Sequence, residues 1–408
     1  MSPSRPRVVI IGGNFAGLVA ASRLPCDYDV TVVDARADFE WTPNIHEILS
    51  GVKDREGVVL PRAECISRYG HTFVHDAVTK IDRDSSSVMT EGGLVLPYDA
   101  CLIAAGSQRT TFGVDGADKH ALGFRLVDDA VRIANRLDKL ATRQRRASVV
   151  IVGGGVSGIE ALGEILRRRA QGDEFNIHVV ELESRILERQ PQGLASDALQ
   201  RIAPYPVTLH TDAAIARVDA RSVTLDSGKK LTADLCIWSA GMTLPDFLRD
   251  AGLNAAADDW LPVDDTLRSR YADNIFIAGD CADLPAPVRK QAYYAMDMGE
   301  VAGDNISRLL RDRRLRRFRA AAMPMLISFG DITTWLVAGE SVVASPVLAA
   351  AKEGVYQATM ARLESPKEPL RYSADIVGRA VMATRQLLLP QLTPSKLFLG
   401  LTGSRIIP

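Results

Sequence analysis

The sequence predicts an α/β fold in which one supersecondary plan is used twice, and three observations carry that expectation. An apolar run, Val8 to Ile11, is followed at once by glycines and then by small apolar residues at helical spacing, which reads as strand, tight turn and helix. Ser148 to Glu160, S-V-V-I-V-G-G-G-V-S-G-I-E, opens in the same way. Each opening then runs through a second strand with an acidic end (Asp34, Glu181) and an alternating block, and finishes in a D-x-C-apolar strand closing on Ala-Gly, at Asp99 to Gly106 and Asp234 to Gly241. Two such series in one order arise by chance far less often than one motif, and they imply two separate nucleotide sites.

In each opening the glycines let the backbone come close to a pyrophosphate, and the helix beyond them presents unpaired N–H groups and partial positive charge to it. Gly153, Gly155 and Gly158 match G-x-G-x-x-G in full, whereas in the first turn Gly12 and Gly17 match and Asn14 stands at the second glycine. Asn tolerates left-handed backbone angles better than most residues, so the turn is expected to survive. Asp34 and Glu181 end their strands where a carboxylate can accept from ribose hydroxyls. The predicted fold is therefore a pair of Rossmann-like dinucleotide-binding domains.

The remaining elements follow in order. F-E-W-T-P-N-I-H-E-I-L-S-G, 39–51, has no clear period and reads as loop then helix with a buried aromatic. T-F-V-H-D-A-V-T-K-I-D, S-V-M-T and G-L-V-L-P-Y-D alternate at period two and predict a small antiparallel meander; a second such block follows Val207. Between the halves lies a polar, arginine-rich helix ending near Arg146. Cys101 and Cys236 hold equivalent places in the repeat, which favours packing over reactivity. N-I-F-I-A-G-D-C-A-D is a further buried strand stopping at Gly279 and Asp280, where the carboxylate either holds a sugar hydroxyl or caps the next helix. That helix begins near Arg289, Lys290 and Gln291, and a basic cluster from Arg308 to Arg319 reads as a solvated helix end or linker, with an anionic contact as the alternative. The last portion starts strand-like with a glycine turn and ends in an apolar, proline-broken tail that cannot be one helix.

With 408 residues and a formal net charge of -1, the chain has room for two or three domains and no global attraction to nucleic acid. Met1 to Arg7 is short and polar, so no leader is expected, and no stretch approaches the ~20 apolar residues of a membrane span. Five scattered cysteines argue against a disulfide framework, a zinc site or a C-x-x-C redox pair, and point to a reducing, cytoplasmic compartment.

G-G-N-F-A-G, A-A-G-S, G-G-G-V-S-G-I-E, S-A-G and F-I-A-G-D-C-A-D, in this order from about Arg7 to Ile306, resemble the two-dinucleotide flavoprotein reductases of the pyridine-nucleotide disulfide oxidoreductase superfamily. The resemblance implies FAD on the first turn and the late G-D, NADH on the second turn, and an NAD domain inserted in the FAD domain. It divides the chain into 1–110 and 262–319 for FAD, 111–261 for NAD(P)H, and a C-terminal α+β region, 320–408, for a membrane or dimer contact. By the same resemblance FAD falls to Gly12, Gly13, Asn14, Phe15, Ala16, Gly17, Asp34, Arg36, Pro43, Val78, Ala105, Gly106, Gly279, Asp280, Gln291 and Ala292. The nicotinamide nucleotide falls to Gly153, Gly155, Val156, Ser157, Gly158, Glu160, Glu181 and Gly241.

The redox cysteine pair of the disulfide reductases is missing, and W-T-P-N-I-H-E with K-Q-A-Y-Y-A-M-D-M-G looks like type II NADH dehydrogenases and ferroptosis-suppressor-type quinone reductases. Expected is a hydride passing from NADH through FAD to a quinone-like acceptor, with Lys290 stabilising the anionic reduced flavin and Glu47 or His46 relaying protons. Glu181 favours NADH, because a carboxylate repels a 2′-phosphate, while Arg185 leaves NADPH open. The rival expectations are a soluble reductase of a ferredoxin or a specialised metabolite, and a redox-sensing NADH-binding flavoprotein. A peripheral contact at the inner face of the cytoplasmic membrane through the C-terminal region, and a homodimer, belong to the leading expectation.

Overall fold

A computed structural model describes residues 5–143, 145–256, 259–364 and 404–407. They divide into two compact units: Met1–Glu40, Val59–Gln108 and Met242–Ala321 form the first; Trp41–Val58, Arg109–Gly241 and Ala322–Pro408 form the second. The segment 41–58 thus clusters with the second nucleotide-type sheet, although the sequence-based division places it in the FAD domain. Its nine-residue 3-10 helix, Thr42–Ser50, buries Ile45, His46, Ile48 and Leu49 within that unit.

Each unit is built on a five-stranded parallel sheet. In the first the order is Ile275–Ile277, Ala100–Ile103, Arg7–Ile11, Asp29–Asp34, Thr72–His75. In the second it is Leu122–Gly123, Leu235–Trp238, Ala147–Val152, Phe175–Val180, Val207–His210. The central strands are continuous apolar runs because parallel strands carry helices on both faces. A three-stranded antiparallel meander follows in each unit, and both have a register shift at the same place, between Val78 and Lys80 and between Ile215 and Arg217.

The duplication extends to single hydrogen bonds. Gly12 N–H donates to Val33 O and Gly153 N–H to Val180 O, both at 2.8 Å. Arg7 N–H donates to the Asp99 carboxylate at 2.7 Å, as Ser148 N–H does to that of Asp234 at 2.9 Å. Cys101 and Cys236 lie in the adjoining strands, buried, and burial pushes the Cys236 thiol up to about 12, so packing is their role here.

In the first unit, helix Phe15–Arg23 lies directly on helix Ala292–Leu309. Small residues at i and i+4 on both, Ala16 and Ala20 against Gly299 and Gly303, let the backbones meet; a Cβ on Gly299 would stand 2.9 Å from the Ala16 carbonyl carbon and one on Gly303 2.7 Å from Ala20 O. This contact fixes the start of the later helix relative to the first glycine turn. The second unit also carries an antiparallel sheet, Met325–Phe329, Thr333–Ala338, Ser341–Ser345 and Arg405–Ile407, and helix Leu348–Glu364. That sheet docks on helix Val156–Arg169, where a Cβ added to Gly163 would stand only 2.5 to 2.7 Å from the Phe329–Gly330 backbone. Most of the proline-broken tail, 365–403, lies outside the described residues. Among the described residues no helix is long and apolar enough to cross a membrane.

Replacing Gly299 by Val puts a branched side chain into the Ala16 carbonyl, and overpacking of this kind costs about 1–3 kcal/mol or more. The expected result is a lowered melting temperature by calorimetry with loss of any ligand held by the first unit; an unchanged melting temperature would contradict the close helix contact.

Candidate functional site

In the first unit Gly12 has φ +94°, a left-handed angle, and a Cβ there would overlap the Ala104 carbonyl; a Cβ on Gly17 would overlap Gly12 O more closely still. Only a residue without Cβ fits such a cradle at the carboxyl end of a parallel sheet, where an anion can reach the backbone. Asp34 accepts from Gly13 N–H at 2.8 Å and from Arg36 N–H at 2.9 Å, so the strand-end carboxylate shapes the turn. Asn14 has an extended backbone, φ -89° and ψ -151°, not a left-handed one. Its side chain works instead: the amide donates to Glu40 O at 3.1 Å and accepts from Glu40 N–H at 3.0 Å, clamping the next strand to the turn. Phe15 packs edge-on to Phe39 behind the same turn, with ring centroids 5.2 Å apart. Val78 opens a meander strand and pairs with Thr90.

Asp280, Gly279, Ala105 and Gly106 come together at the neighbouring strand ends: Ser107 Oγ donates to the Asp280 carboxylate at 2.9 Å, and Gly106 and Gly279 are both left-handed, at φ +68° and +81°. Asp280 does not cap the following helix, which starts at Ala292 with Gln291 as N-cap. Lys290 is half-buried; its ammonium donates to Asp280 O and stands 3.6 Å from the Trp260 ring centroid, a cation–π contact.

The second unit repeats the turn. Gly153 has φ +100°, Gly158 packs over Gly153 O, and Glu181 accepts from Gly154 N–H at 2.6 Å and Glu183 N–H at 3.0 Å. Gly155 is the extended N-cap of helix Val156–Arg169, which places Val156 and Ser157 in its first turn. Gly241 follows the strand Leu235–Trp238 at φ +76°. Arg185 spends its guanidinium on the carbonyls of Leu187, Glu188 and Gln190.

His46, Glu47 and Pro43 lie on the 3-10 helix of the second unit, in a buried cluster of ionisable groups. Lys352 donates to Glu160 at 2.6 Å and lies 3.3 Å from His46 Nε2; Glu160 also accepts Ser328 N–H at 3.2 Å. Lys53 sits between Glu353 at 2.7 Å and Glu47 at 3.4 Å, and 4.1 Å over the Tyr356 ring. Burial, reinforced by Lys352, holds His46 well below its usual pKa, so its ring is neutral and the 3.8 Å approach to Glu160 is no ion pair. Burial lowers the pKa of the Lys53 ammonium, but Glu47 and Glu353 outweigh it and the net direction is upward. Glu160 is raised by burial against the pull of Lys352, and Glu164, one helical turn on, is pushed up to about 7 by burial although Arg167 lies 3.1 Å away. Ser50 donates to Glu164 Oε2, while Glu164 Oε1 has no hydrogen-bond partner among the described residues, as suits a carboxyl group that carries its own proton near neutrality.

Residues 6–299 of the chain match the pyridine nucleotide-disulphide oxidoreductase family. The chain belongs to that family. Among curated relatives, demethylphylloquinone reductase NdbB of Synechocystis is 27% identical over 298 residues, 69% of this chain and 73% of the relative. Type II NADH:quinone oxidoreductase of Haemophilus influenzae is 25% identical over 387 residues, covering 80% of this chain and 85% of the relative. The structure of NDH2 from Plasmodium falciparum in complex with NADH superposes with a TM-score of 0.80 at 16% identity, covering 96% of this chain and 100% of that one. The family's two-dinucleotide α/β fold is the fold of this protein.

Sequence reading missed Arg62, Glu164, Lys352 and Lys53. Arg62, 1% exposed, pairs with Asp34 at 3.1 Å and donates to Gly13 O at 2.9 Å. Its sequence neighbours, Leu60-Pro61-Arg62-Ala63, carry no motif. Lys352 and Glu353 stand in A-A-A-K-E-G, where the one signal is an adjacent opposite-charge pair in an otherwise small and apolar stretch.

Because the folded pKa of Glu164, about 7, lies above the ordinary 4.5, its contribution to stability is fully present below pH 4.5 and is lost as pH rises through 7. Glu164→Gln removes that loss. Melting curves of the two proteins are expected to diverge from about pH 5 to about pH 8, the variant gaining on the order of 2–3 kcal/mol relative to wild type. Parallel curves over that range would mean that Glu164 is ionised throughout.

Proposed function

We propose that this protein is an FAD-dependent NADH dehydrogenase that passes electrons to a quinone. The observation that carries the reading is the pair of carboxylate-braced glycine turns, Asp34 with Gly13 and Glu181 with Gly154, in a chain whose relatives are named quinone reductases. The left-handed Gly12 cradle, the braced Asp34 and the Gly279–Asp280 strand end fit FAD; the second turn fits NADH. A bound flavin would take a hydride from NADH and deliver two electrons to the acceptor.

The chain's own groups bind, orient and hold protons. Gly12, Gly13, Asn14, Phe15, Ala16 and Gly17 form the pyrophosphate turn, with Arg36, Val78, Ala105, Gly106, Gln291 and Ala292 as further FAD contacts. Asp280 holds a ribityl hydroxyl, and Lys290, kept in place by Asp280 O and Trp260, supplies positive charge to the reduced ring. Gly153, Gly155, Val156, Ser157, Gly158 and Gly241 receive the nicotinamide nucleotide, whereas Glu160, expected beside it from the sequence, has its buried carboxylate committed to Lys352 and Ser328 N–H. Glu181 accepts from its adenosine ribose, and the commitment of Arg185 to its own loop supports NADH over NADPH. Reduction of a quinone consumes protons, and His46 with Glu47 relays them from the buried cluster of the second unit. The C-terminal region completes the reading as the contact with a membrane surface or a second copy of the chain.

Anaerobic titration of the purified protein with NADH is expected to bleach a yellow chromophore, and a soluble quinone to restore it. Lys290→Ala is expected to slow NADH oxidation about 10- to 100-fold while the protein stays yellow. Colourless protein that takes up no FAD would sink the reading, and bleaching reversed by a ferredoxin but not by quinone would replace the acceptor.

A further inference from the structure

Phe112 combines two costs that the fold does not explain. The residue is 68% exposed, second among the exposed large apolar residues described, and its backbone is left-handed at φ +53°. A bulky residue in that region is strained by about 1–3 kcal/mol, and persists where the surroundings hold it for a purpose. The surroundings do hold it. Trp238 Nε1 donates to Thr110 O at 3.0 Å, Thr110 Oγ1 accepts Phe112 N–H at 3.0 Å, Val114 N–H donates to Thr111 O at 3.0 Å, and Thr111 Oγ1 donates to Asp118 at 3.1 Å.

The ring lies against Gly241, where an added Cβ would stand 2.5 Å from Phe112 Cζ. Gly241 follows the strand Leu235–Trp238, which adjoins Ala147–Val152 on one side, while Phe175–Val180 adjoins it on the other. Ligands of such sheets lie across the carboxyl ends of the strands. With the pyrophosphate on the turn after Val152 and the adenosine ribose on Glu181, the other half of a dinucleotide extends over the end of Leu235–Trp238, toward Gly241 and Phe112. We infer that Phe112 is a binding residue for the nicotinamide half of NADH, an aromatic wall whose exposed face is covered by the nucleotide. This rests on the reading of the second glycine turn as the NADH site.

The test compares NADH with ADP-ribose, which shares the adenosine and pyrophosphate but lacks the nicotinamide, by anaerobic calorimetry on full-length holoprotein already reduced with dithionite, so that no hydride passes during the titration. Phe112→Ala is expected to weaken NADH roughly 5- to 50-fold and to leave ADP-ribose unchanged; Phe112→Tyr is expected to retain NADH affinity. Phe112→Gly, which relieves the left-handed strain, is expected to melt no lower than wild type and still bind NADH weakly. Unchanged NADH affinity in the Ala and Gly variants, or equal losses for both ligands, would overturn the assignment. Wild-type protein that binds neither ligand would instead overturn the NADH site itself.

Discussion

The bond from a strand-end carboxylate to the first free N–H of the glycine turn is the constraint on which both units depend. Asp34 to Gly13 and Glu181 to Gly154 tie two adjacent parallel strands at their carboxyl ends, and each carboxylate also takes the N–H two residues beyond itself. With its acceptor capacity divided in this way, the carboxylate is held rigidly and still has lone pairs for a hydroxyl. A strand end without that acceptor would leave the turn's N–H groups to compete for water and the cradle undefined.

The units then differ in how they treat that charge. In the first, buried Arg62 neutralises Asp34 and fills the space beside Gly13; burial pulls its pKa down and Asp34 pulls it back. In the second, charge collects away from the strand end, around Lys352, Lys53, Glu160, Glu164 and Glu353. Pairs of this kind contribute little net stability, because desolvation offsets their attraction, but they penalise every arrangement that separates them. They join helix Thr42–Ser50, helix Val156–Arg169 and helix Leu348–Glu364, and so specify how the last of these seats against the other two.

Much of this was readable from local pattern. The sheets, the two turns, both meanders and the equivalence of Cys101 and Cys236 are recorded in apolar runs and short spacings, since each is decided by residues close in the chain. Asn14 shows where local rules run out: its residue type suggested a backbone tolerance, whereas it serves as a side-chain clamp on Glu40, 26 positions away. The grouping of segment 41–58 was equally hidden, because an aperiodic stretch says nothing about which sheet will bury it.

By itself the sequence determined the duplicated α/β plan, the two glycine turns and the acidic residue at the strand end beside each, because backbone sterics and strand periodicity act over a few residues. Tertiary structure alone decided that Arg62 backs Asp34, that Glu164 is a buried acid near neutrality, and that Lys352 meets Glu160 across 192 positions. Burial and partner charge set those properties, and both come from residues that approach one another only when the chain has folded.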